Sequence, residues 1–458
     1  MQENTVVGQQ QRVTLLDGSS VRYVNLDNAA STPALESVLH AVNKFMPMYS
    51  SVHRGSGVKS RYSTQMYEDA REYVLKFFGG NDKDHVVIFG MNTSTAINKL
   101  SHRLHLTKDD VVITSLLEHH SNDLPWRDKA KVIRVKLDSN GGIDGSDLEK
   151  LFVKHGKAIK IVAITGASNV TGYIPDIHKI ARMTHAVGAE ILVDGAQLAP
   201  HRPINMKRLG DDSHIDYLTV SAHKMYAPFG TGALITRRDR FQTGVPEYSG
   251  GGTINFVSLD EVLWADTPER DEVGSPNVVG AIAFAESLRF LSKKGMATIV
   301  AHEQILVQYA VDSLSKIKGI TLFGATDKAS LKNRTGVITF TIENVNHALA
   351  TEILSAEHGV GVRGGCFCAH PYVIELLGIN KDELKLLKSH KVAKEQQPIP
   401  GLIRVSFGLY NTKDDVDRVV KGLKSICNGN YDTDYKFDSA TGNYEIKGWP
   451  ALDSVYKD

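Results

Sequence analysis

Two patterns of apolar and polar positions alternate between residues 85 and 240. Short apolar runs, rich in Val and Ile, occupy 85–89, 110–114, 131–135, 160–164 and 190–194. A further run begins at His214 and stays apolar and β-branched until it ends in Ser221-Ala222-His223-Lys224. The segments between the runs repeat apolar residues at three- and four-residue spacing. In 175–186 that spacing follows Pro175, read as the first helical position. Apolar strands alternating with helices predict a mostly parallel sheet covered by helices. The fold class is therefore α/β. The pattern changes after about 280, where helices are predicted over 279–294 and 297–318 and a strand over 336–342. These make a smaller α+β domain.

The flanks are read from composition. Residues 1–26 form an arm leading into a short strand over 20–26. Residues 27–285 make the large domain and 286–427 the small one. Within the latter, 380–400 is Lys-rich, ends in Gln396-Gln397-Pro398-Ile399-Pro400-Gly401, and reads as an exposed insertion. The extension 428–458 is polar and aromatic without periodicity.

Chemistry enters at the strand ends. One run stops at Asp194 and the next at Lys224. A carboxylate and a lysine so placed suit pyridoxal 5'-phosphate: the lysine forms the Schiff base and Asp194 pairs with the protonated pyridine nitrogen. Gly90-Met91-Asn92-Thr93-Ser94 follows a strand and opens a helix. Its amides and the Thr93 and Ser94 hydroxyls would cradle a phosphate, with Ser221 and His223 as further donors. His119, at a strand's carboxyl end, can stack on the ring, and Gln197 can reach the phenolic oxygen. Arg404 begins an apolar strand, where an arginine needs a partner: either a substrate carboxylate or a protein acid.

Bulk composition narrows the choice. The chain has 458 residues, with 53 Lys and Arg against 52 Asp and Glu. That balance argues against nucleic acid or an anionic membrane as partner. No apolar run approaches the roughly 20 residues of a membrane span. The N-terminus has no signal-peptide pattern. Three cysteines, Cys366, Cys368 and Cys427, do not make a disulfide framework. A cytoplasmic protein is expected, or an organellar one. A zinc site from His119, His120, Cys366 and Cys368 matches the usual Cys-x-x-Cys spacing poorly, so no metal is expected.

The segments Leu26-Asp27-Asn28-Ala29-Ala30, Val52-His53-Arg54-Gly55, Glu118-His119-His120, Ser168-Asn169-Val170-Thr171-Gly172, Val193-Asp194-Gly195-Ala196-Gln197, Ser221-Ala222-His223-Lys224, Gly274-Ser275-Pro276-Asn277, Arg363-Gly364-Gly365-Cys366-Phe367-Cys368-Ala369 and Arg404–Thr412 occur in this order. Together they resemble the class V, fold-type I enzymes of the cysteine desulfurase and selenocysteine lyase family, group II branch, from about Tyr23 to Cys427. The resemblance implies a seven-stranded, mostly parallel sheet and a pyridoxal phosphate cofactor. It implies that Lys224 carries the cofactor, Asp194 pairs with its ring nitrogen, His119 stacks, Gln197 touches the phenolic oxygen, and Thr93, Ser94, Ser221 and His223 hold the phosphate. It gives Asn169 and Arg404 to the substrate carboxylate, with Arg363, His53 and Arg54 also on the substrate side. It implies a homodimer in which Ser275 reaches the neighbour's phosphate. The nucleophile would be Cys368, taking sulfur or selenium from an amino-acid substrate and passing it to an acceptor protein.

Two features depart from the family pattern: Cys366-Phe367 stands where a polar or His pair is usual before the cysteine, and the 380–400 insertion and the tail after 428 fall outside it. Gly364-Gly365 is read as making the cysteine loop mobile. Alternatives are another class V enzyme, such as a C–S lyase, epimerase or aminotransferase, and, more remotely, a non-catalytic sulfur or metal carrier.

Overall fold

The computed structural model describes residues 5–392, 400–438 and 441–449. Seven strands form the main sheet: β1 (His85–Gly90), β2 (Val111–Ser115), β3 (Lys131–Val135), β4 (Ile159–Thr165), β5 (Glu190–Asp194), β6 (Tyr217–Ser221) and β7 (Gly232–Arg237). Their spatial order is β1-β7-β6-β5-β4-β2-β3. β7 runs antiparallel to both β1 and β6, and the other pairs are parallel. The sheet is thus mostly parallel, as expected.

Burial on both faces explains why the runs are apolar throughout. Val111 and Ile113, Ile191 and Val193, Leu218 and Val220, and Ala233 and Ile235 enter one core. Their alternating neighbours Val112, Leu192, Tyr217 and Leu234 enter the other. Each such Val, Leu or Ile contributes about 1.5–3 kcal/mol of burial. The first face is covered by residues of the helices Glu36–Phe45, Val58–Phe77, Ile177–Ala186 and Val278–Lys294. The second is covered by the Thr93–Arg103 helix with Trp126 and Phe241.

Helix boundaries shift for identifiable reasons. Asp176 caps the 175–186 segment, its side chain accepting from Lys179 N at 3.0 Å. The helix therefore starts at Ile177, and Pro175 lies before the cap rather than at the first helical position. Asn277 caps Val278–Lys294 in the same way, accepting from Gly280 N. The next helix, Met296–Leu314, stops short of the expected 318, and residues 315–318 form a turn.

A four-stranded antiparallel sheet, in the order β8 (Ile320–Phe323), β9 (Val337–Ile342), β11 (Leu402–Ser406), β10 (Arg363–Gly365), builds the second core. Ile338, Phe340, Ile403 and Val405 pack there against helical residues such as Leu306, Leu354 and Leu423. The expected strand over 20–26 breaks at Tyr23. Ser20–Arg22 pairs with Arg12–Thr14, whereas Val24–Asn25 pairs in parallel with Val360–Gly361. Val24 and Leu26 are fully buried in the second core, so this part of the arm is structural.

Within 380–400, Lys381–Val392 is a helix whose residues to 389 are mostly exposed; 393–399 fall outside the described residues. In the extension, Lys436–Asp438 pairs with Asn443–Glu445, and Tyr431 and Tyr435 pack on the second core. Tyr435 OH donates to Glu357 at 2.9 Å. Among the described residues, no helix is long and apolar enough to cross a membrane.

Candidate active site

The carboxyl ends of the parallel strands, where ligands of such sheets bind, open into a cavity of about 280 Å³. It is lined by Thr93 and Ser94 after β1, His119 and Ser121 after β2, Thr165 and Asn169 at and after β4, Asp194 and Gln197 at and after β5, and Ser221, His223 and Lys224 at and after β6. Arg363, Cys368 and Arg404 from the small-sheet region close it. Twelve of the residues singled out from sequence therefore share one cavity: Thr93, Ser94, His119, Asn169, Asp194, Gln197, Ser221, His223, Lys224, Arg363, Cys368 and Arg404.

The polar rim begins at a helix start. Asn92 caps Thr93–Arg103 in a reciprocal box with Thr95. The cap crosses β7 at Gly232, where a Cβ would lie 2.6 Å from Asn92 Cα and 2.6 Å from Val220 O, so only glycine fits. Thr93 N donates to Ser221 Oγ at 2.9 Å, and Ser221 Oγ donates to Thr93 Oγ1 at 2.9 Å. Ser94 and Ser121 hydroxyls lie 2.5 Å apart. Hydroxyls and helix amides converge here as an anion site requires.

Burial sets the charges. It pushes the Lys224 ammonium down to about 8, with Asp194 opposing and Arg404 assisting. It raises the Asp194 carboxyl, against the Ala196 N–H donated to it and the Lys224 cation. It pushes His119 down to about 3, helped by Lys224, His120 and Arg404, so the ring is neutral. Ser121 N donates to His119 Nδ1 at 3.1 Å, which places the ring proton on Nε2. Burial also lowers His223 to about 4, with Lys224 assisting. Beneath the cavity, burial raises Glu118 to about 8 in spite of its bonds to Ser115 (2.6 Å) and Asn122 (2.7 Å).

On the opposite wall, Arg363 and Arg404 face each other across β10 and β11. Opposed like charges destabilise a ladder. Asp27 neutralises the pair, with Oδ1 2.9 Å from Arg404 and Oδ2 3.0 Å from Arg363. Arg404 is only 3% exposed, donates to Asn169 O at 3.0 Å, and stacks on Phe367 at 4.7 Å. Its Nε is buried without a partner, as is Gln197 Oε1, while Gln197 Nε2 donates to Ala29 O at 2.5 Å. The protein acid weighed against a substrate carboxylate for Arg404 is thus present.

The cysteine segment differs from the mobile loop expected. Arg363–Gly365 is a strand in which Gly364 serves close packing and Gly365 a positive φ. A Cβ on Gly364 would lie 2.9 Å from His347 Nδ1, and Gly365 has φ +114°. Phe367 and Cys368 follow in the left-handed region, at φ +51° and +54°, which costs a non-glycine residue about 1–2 kcal/mol. Two bonds hold this conformation: Asn169 Nδ2 to Phe367 O at 2.7 Å and His120 N to Cys368 O at 2.7 Å. Asn169 thereby ties the segment with the amide that the resemblance gives to the substrate. The result is an exposed Cys368 at the cavity mouth. Cys366 is partly buried, and burial raises its thiol to about 11. His120, whose backbone N–H holds Cys368 O, stacks its ring on His370 at 4.9 Å.

His53, Arg54 and Ser275 are not in this cavity. They line another, of about 480 Å³, with Asn255 and Glu269. In one chain they are therefore separated from Lys224. Asp27, Asn92 and Ser121 also belong to the site. Asp27 and Asn92 lie within the segments Leu26–Ala30 and Gly90–Ser94, and Ser121 directly follows His119-His120, so their signal is adjacency.

A model of the family described as aminotransferase class-V matches residues 24–419. The chain belongs to this family. A probable cysteine desulfurase from Halalkalibacterium halodurans is 35% identical over 419 residues, covering 89% of this chain and 94% of the relative. A cysteine desulfurase from Haloferax volcanii is 30% identical, covering 89% and 90%. The solved apo cysteine desulfurase of Thermococcus onnurineus NA1 superposes with a TM-score of 0.78 at 29% identity, covering 94% of this chain and 100% of that one. An Escherichia coli cysteine desulfurase solved as its S-sulfonic acid gives 0.72 at 29% identity, covering 88% and 94%. This class-V chain therefore shares its fold, over nearly its whole length, with cysteine desulfurases.

Proposed function

We propose that this protein is a pyridoxal-phosphate-dependent cysteine desulfurase, taking sulfur from L-cysteine, or selenium from L-selenocysteine, and releasing alanine. One observation carries the reading: Lys224, Asp194, Arg404 and an exposed Cys368 line a single cavity in a class-V chain. A pure sulfur or metal carrier has no use for the first three.

The residues fit the cofactor. Gln197 Oε1 is a buried atom without a partner, Asp194 keeps a carboxylate at the cavity floor, and hydroxyls gather at a helix start. Lys224 would attach it, Asp194 would face its ring nitrogen, His119 would cover its face, and Thr93, Ser94, Ser221 and His223 would take its phosphate. When bound, the cofactor supplies an electron sink for bonds at the substrate α-carbon. The chain's own groups do the rest. Arg404, through its unpartnered Nε, binds the substrate carboxylate, and Asn169 fixes the guanidinium by its carbonyl. Lys224 Nζ, held near 8, takes and returns protons. Cys368 Sγ attacks the substrate sulfur; the carbon–sulfur bond breaks, the thiol becomes a persulfide, and a proton completes alanine. An acceptor protein then collects the sulfur from exposed Cys368. The cytoplasm, or an organelle, is the compartment proposed.

The test is incubation of the holoprotein with L-cysteine and a panel of amino acids, assaying alanine, pyruvate and sulfide together. Alanine from cysteine, matched by sulfur on the protein, is expected. Pyruvate without alanine would make it a lyase of another kind and overturn the reading.

Shared sites in a homodimer are part of the proposal. The second cavity presents His53, Arg54 and Ser275 away from Lys224, where a neighbouring chain can use them. The adjoining hairpin, Ile254–Val257 with Val262–Trp264, exposes Phe256, Val257, Leu259 and Leu263. Contiguous exposed apolar side chains call for a cover. Sedimentation of the holoprotein is expected to give a dimer, and Ser275→Ala to weaken cofactor retention. An active monomer with full cofactor occupancy would contradict this arrangement.

A further inference from the structure

Cys366, Phe367, Cys368 and Ala369 form a turn closed by Ala369 N, which donates to Cys366 O at 2.8 Å. Its two central residues, Phe367 and Cys368, have φ +51° and +54°. Positive φ at both centres is the pattern of a type I′ turn, which Asn, Asp and Gly ordinarily fill. Here the centres are a bulky aromatic residue and the exposed thiol that lines the cavity. Residues in this region persist only where their surroundings determine them.

Backbone bonds do not suffice to hold it. Two left-handed residues together disfavour the turn by about 160-fold, taking the middle of the usual cost for each. The closing bond is common to ordinary and mirror-image turns, so it does not select this form. Asn169 Nδ2 donates to Phe367 O and His120 N to Cys368 O, both at 2.7 Å. Two such bonds favour the observed form by about 30-fold. The Phe367 side chain supplies the rest. The residue is 8% exposed and enters the same core as Ala369, Tyr372 and Leu402. Its ring centroid lies 4.7 Å from the Arg404 guanidinium carbon. Burying such a ring and laying it on a cation favour the turn by about 400-fold. The ring therefore decides whether the turn forms.

We propose that Phe367 is the positioning residue for Cys368: its buried ring, clamped on Arg404, holds the nucleophile at a fixed place relative to the carboxylate subsite. The inference rests on the reading of Cys368 as sulfur acceptor and of Arg404 as carboxylate ligand. Arg404 does not depend on the ring in return. Asp27 at 2.9 Å and Asn169 O at 3.0 Å already fix the guanidinium. Loss of the ring therefore spares carboxylate binding and frees the thiol. Because ring and thiol belong to adjacent residues, the offset between the bound carboxylate and Cys368 Sγ is set within one turn. A thiol that must meet the substrate sulfur in line can lose about 100-fold in rate for a misplacement of about 1 Å.

The test compares Phe367→Ala and Phe367→Leu with wild-type holoprotein, all rates being taken per bound cofactor. Alanine removes the ring and keeps the Cβ, so the cost of φ +51° stays; leucine keeps apolar bulk without a π face. Hydrogen exchange is read by mass spectrometry on the peptide carrying Ala369 and His370, whose N–H groups donate to Cys366 O and His120 Nε2. It should quicken at least about tenfold in Phe367→Ala, and less in Phe367→Leu. In single turnover with L-cysteine, the first spectral change and its dependence on cysteine concentration should stay within about twofold of wild type, while sulfur appears on Cys368 at least about tenfold more slowly in Phe367→Ala. A general loss of stability would not separate these two steps. Wild-type exchange in Phe367→Ala overturns the anchor. Equal slowing of both steps overturns the positioning of the thiol, since the ring would then act through Arg404. If wild type takes no sulfur from L-cysteine, the desulfurase reading falls, and the exchange measurement still decides whether Phe367 holds the turn.

Discussion

Lys224→Ala is expected to abolish the cofactor's visible absorbance band and to lower turnover by more than about 10³-fold, from the combined loss of covalent attachment and proton transfer. No other group at this position can replace it. His119 is held neutral near 3 and His223 near 4, so neither is a competent base at the same place. The amine is suited to the task because burial brings it down to about 8. Its neutral fraction therefore rises as pH rises through about 8, and the lysine-dependent step should quicken over that interval. The fold should survive, since the strand leading to Lys224 is anchored by Leu218 and Val220, both fully buried in the core. Absorbance of the purified protein, melting temperature and alanine release are the measurements. A variant that melts like wild type and still turns over at the wild-type rate would remove Lys224 from the site.

Asp194 and Lys224 were readable because a strand buried on both faces has no reason to end in a charge unless the end faces something polar. The same logic located His119 and the Thr93 helix start. Other partnerships could not be read, because sequence separation conceals them. Asp27 and Arg404 stand 377 residues apart, and nothing near Arg404 in the chain says that its acid is already supplied. Gly364-Gly365 misled for a different reason. Glycine signals either freedom or close approach, and only the packing of His347 against β10 decides between them. Arg12–Thr14 and Val24–Asn25 are two or three residues long, too short for periodicity to register.

Cys368→Ala is expected to leave cofactor binding and the first substrate-induced spectral change intact, and to remove most alanine production from cysteine. The structure separates these effects. The strained backbone at Phe367 and Cys368 is held through carbonyls, by Asn169 and by His120, and the thiol makes neither bond. Alanine keeps the same Cβ at φ +54°, so the conformational cost is unchanged and an exposed truncation should alter stability by no more than about 0.5 kcal/mol. Lys224 and Asp194 lie on other elements and are untouched. Only the sulfur acceptor is lost. Intact mass after a brief cysteine pulse should show an added sulfur on wild type and none on the variant. Cys366→Ala should do less harm, because burial keeps that thiol protonated to about 11 and its Sγ is turned towards Pro400 O. If Cys368→Ala releases alanine at the wild-type rate, the nucleophile is another group. The Asp27-bridged arginine pair would then remain as the carboxylate subsite of a class-V enzyme with different chemistry.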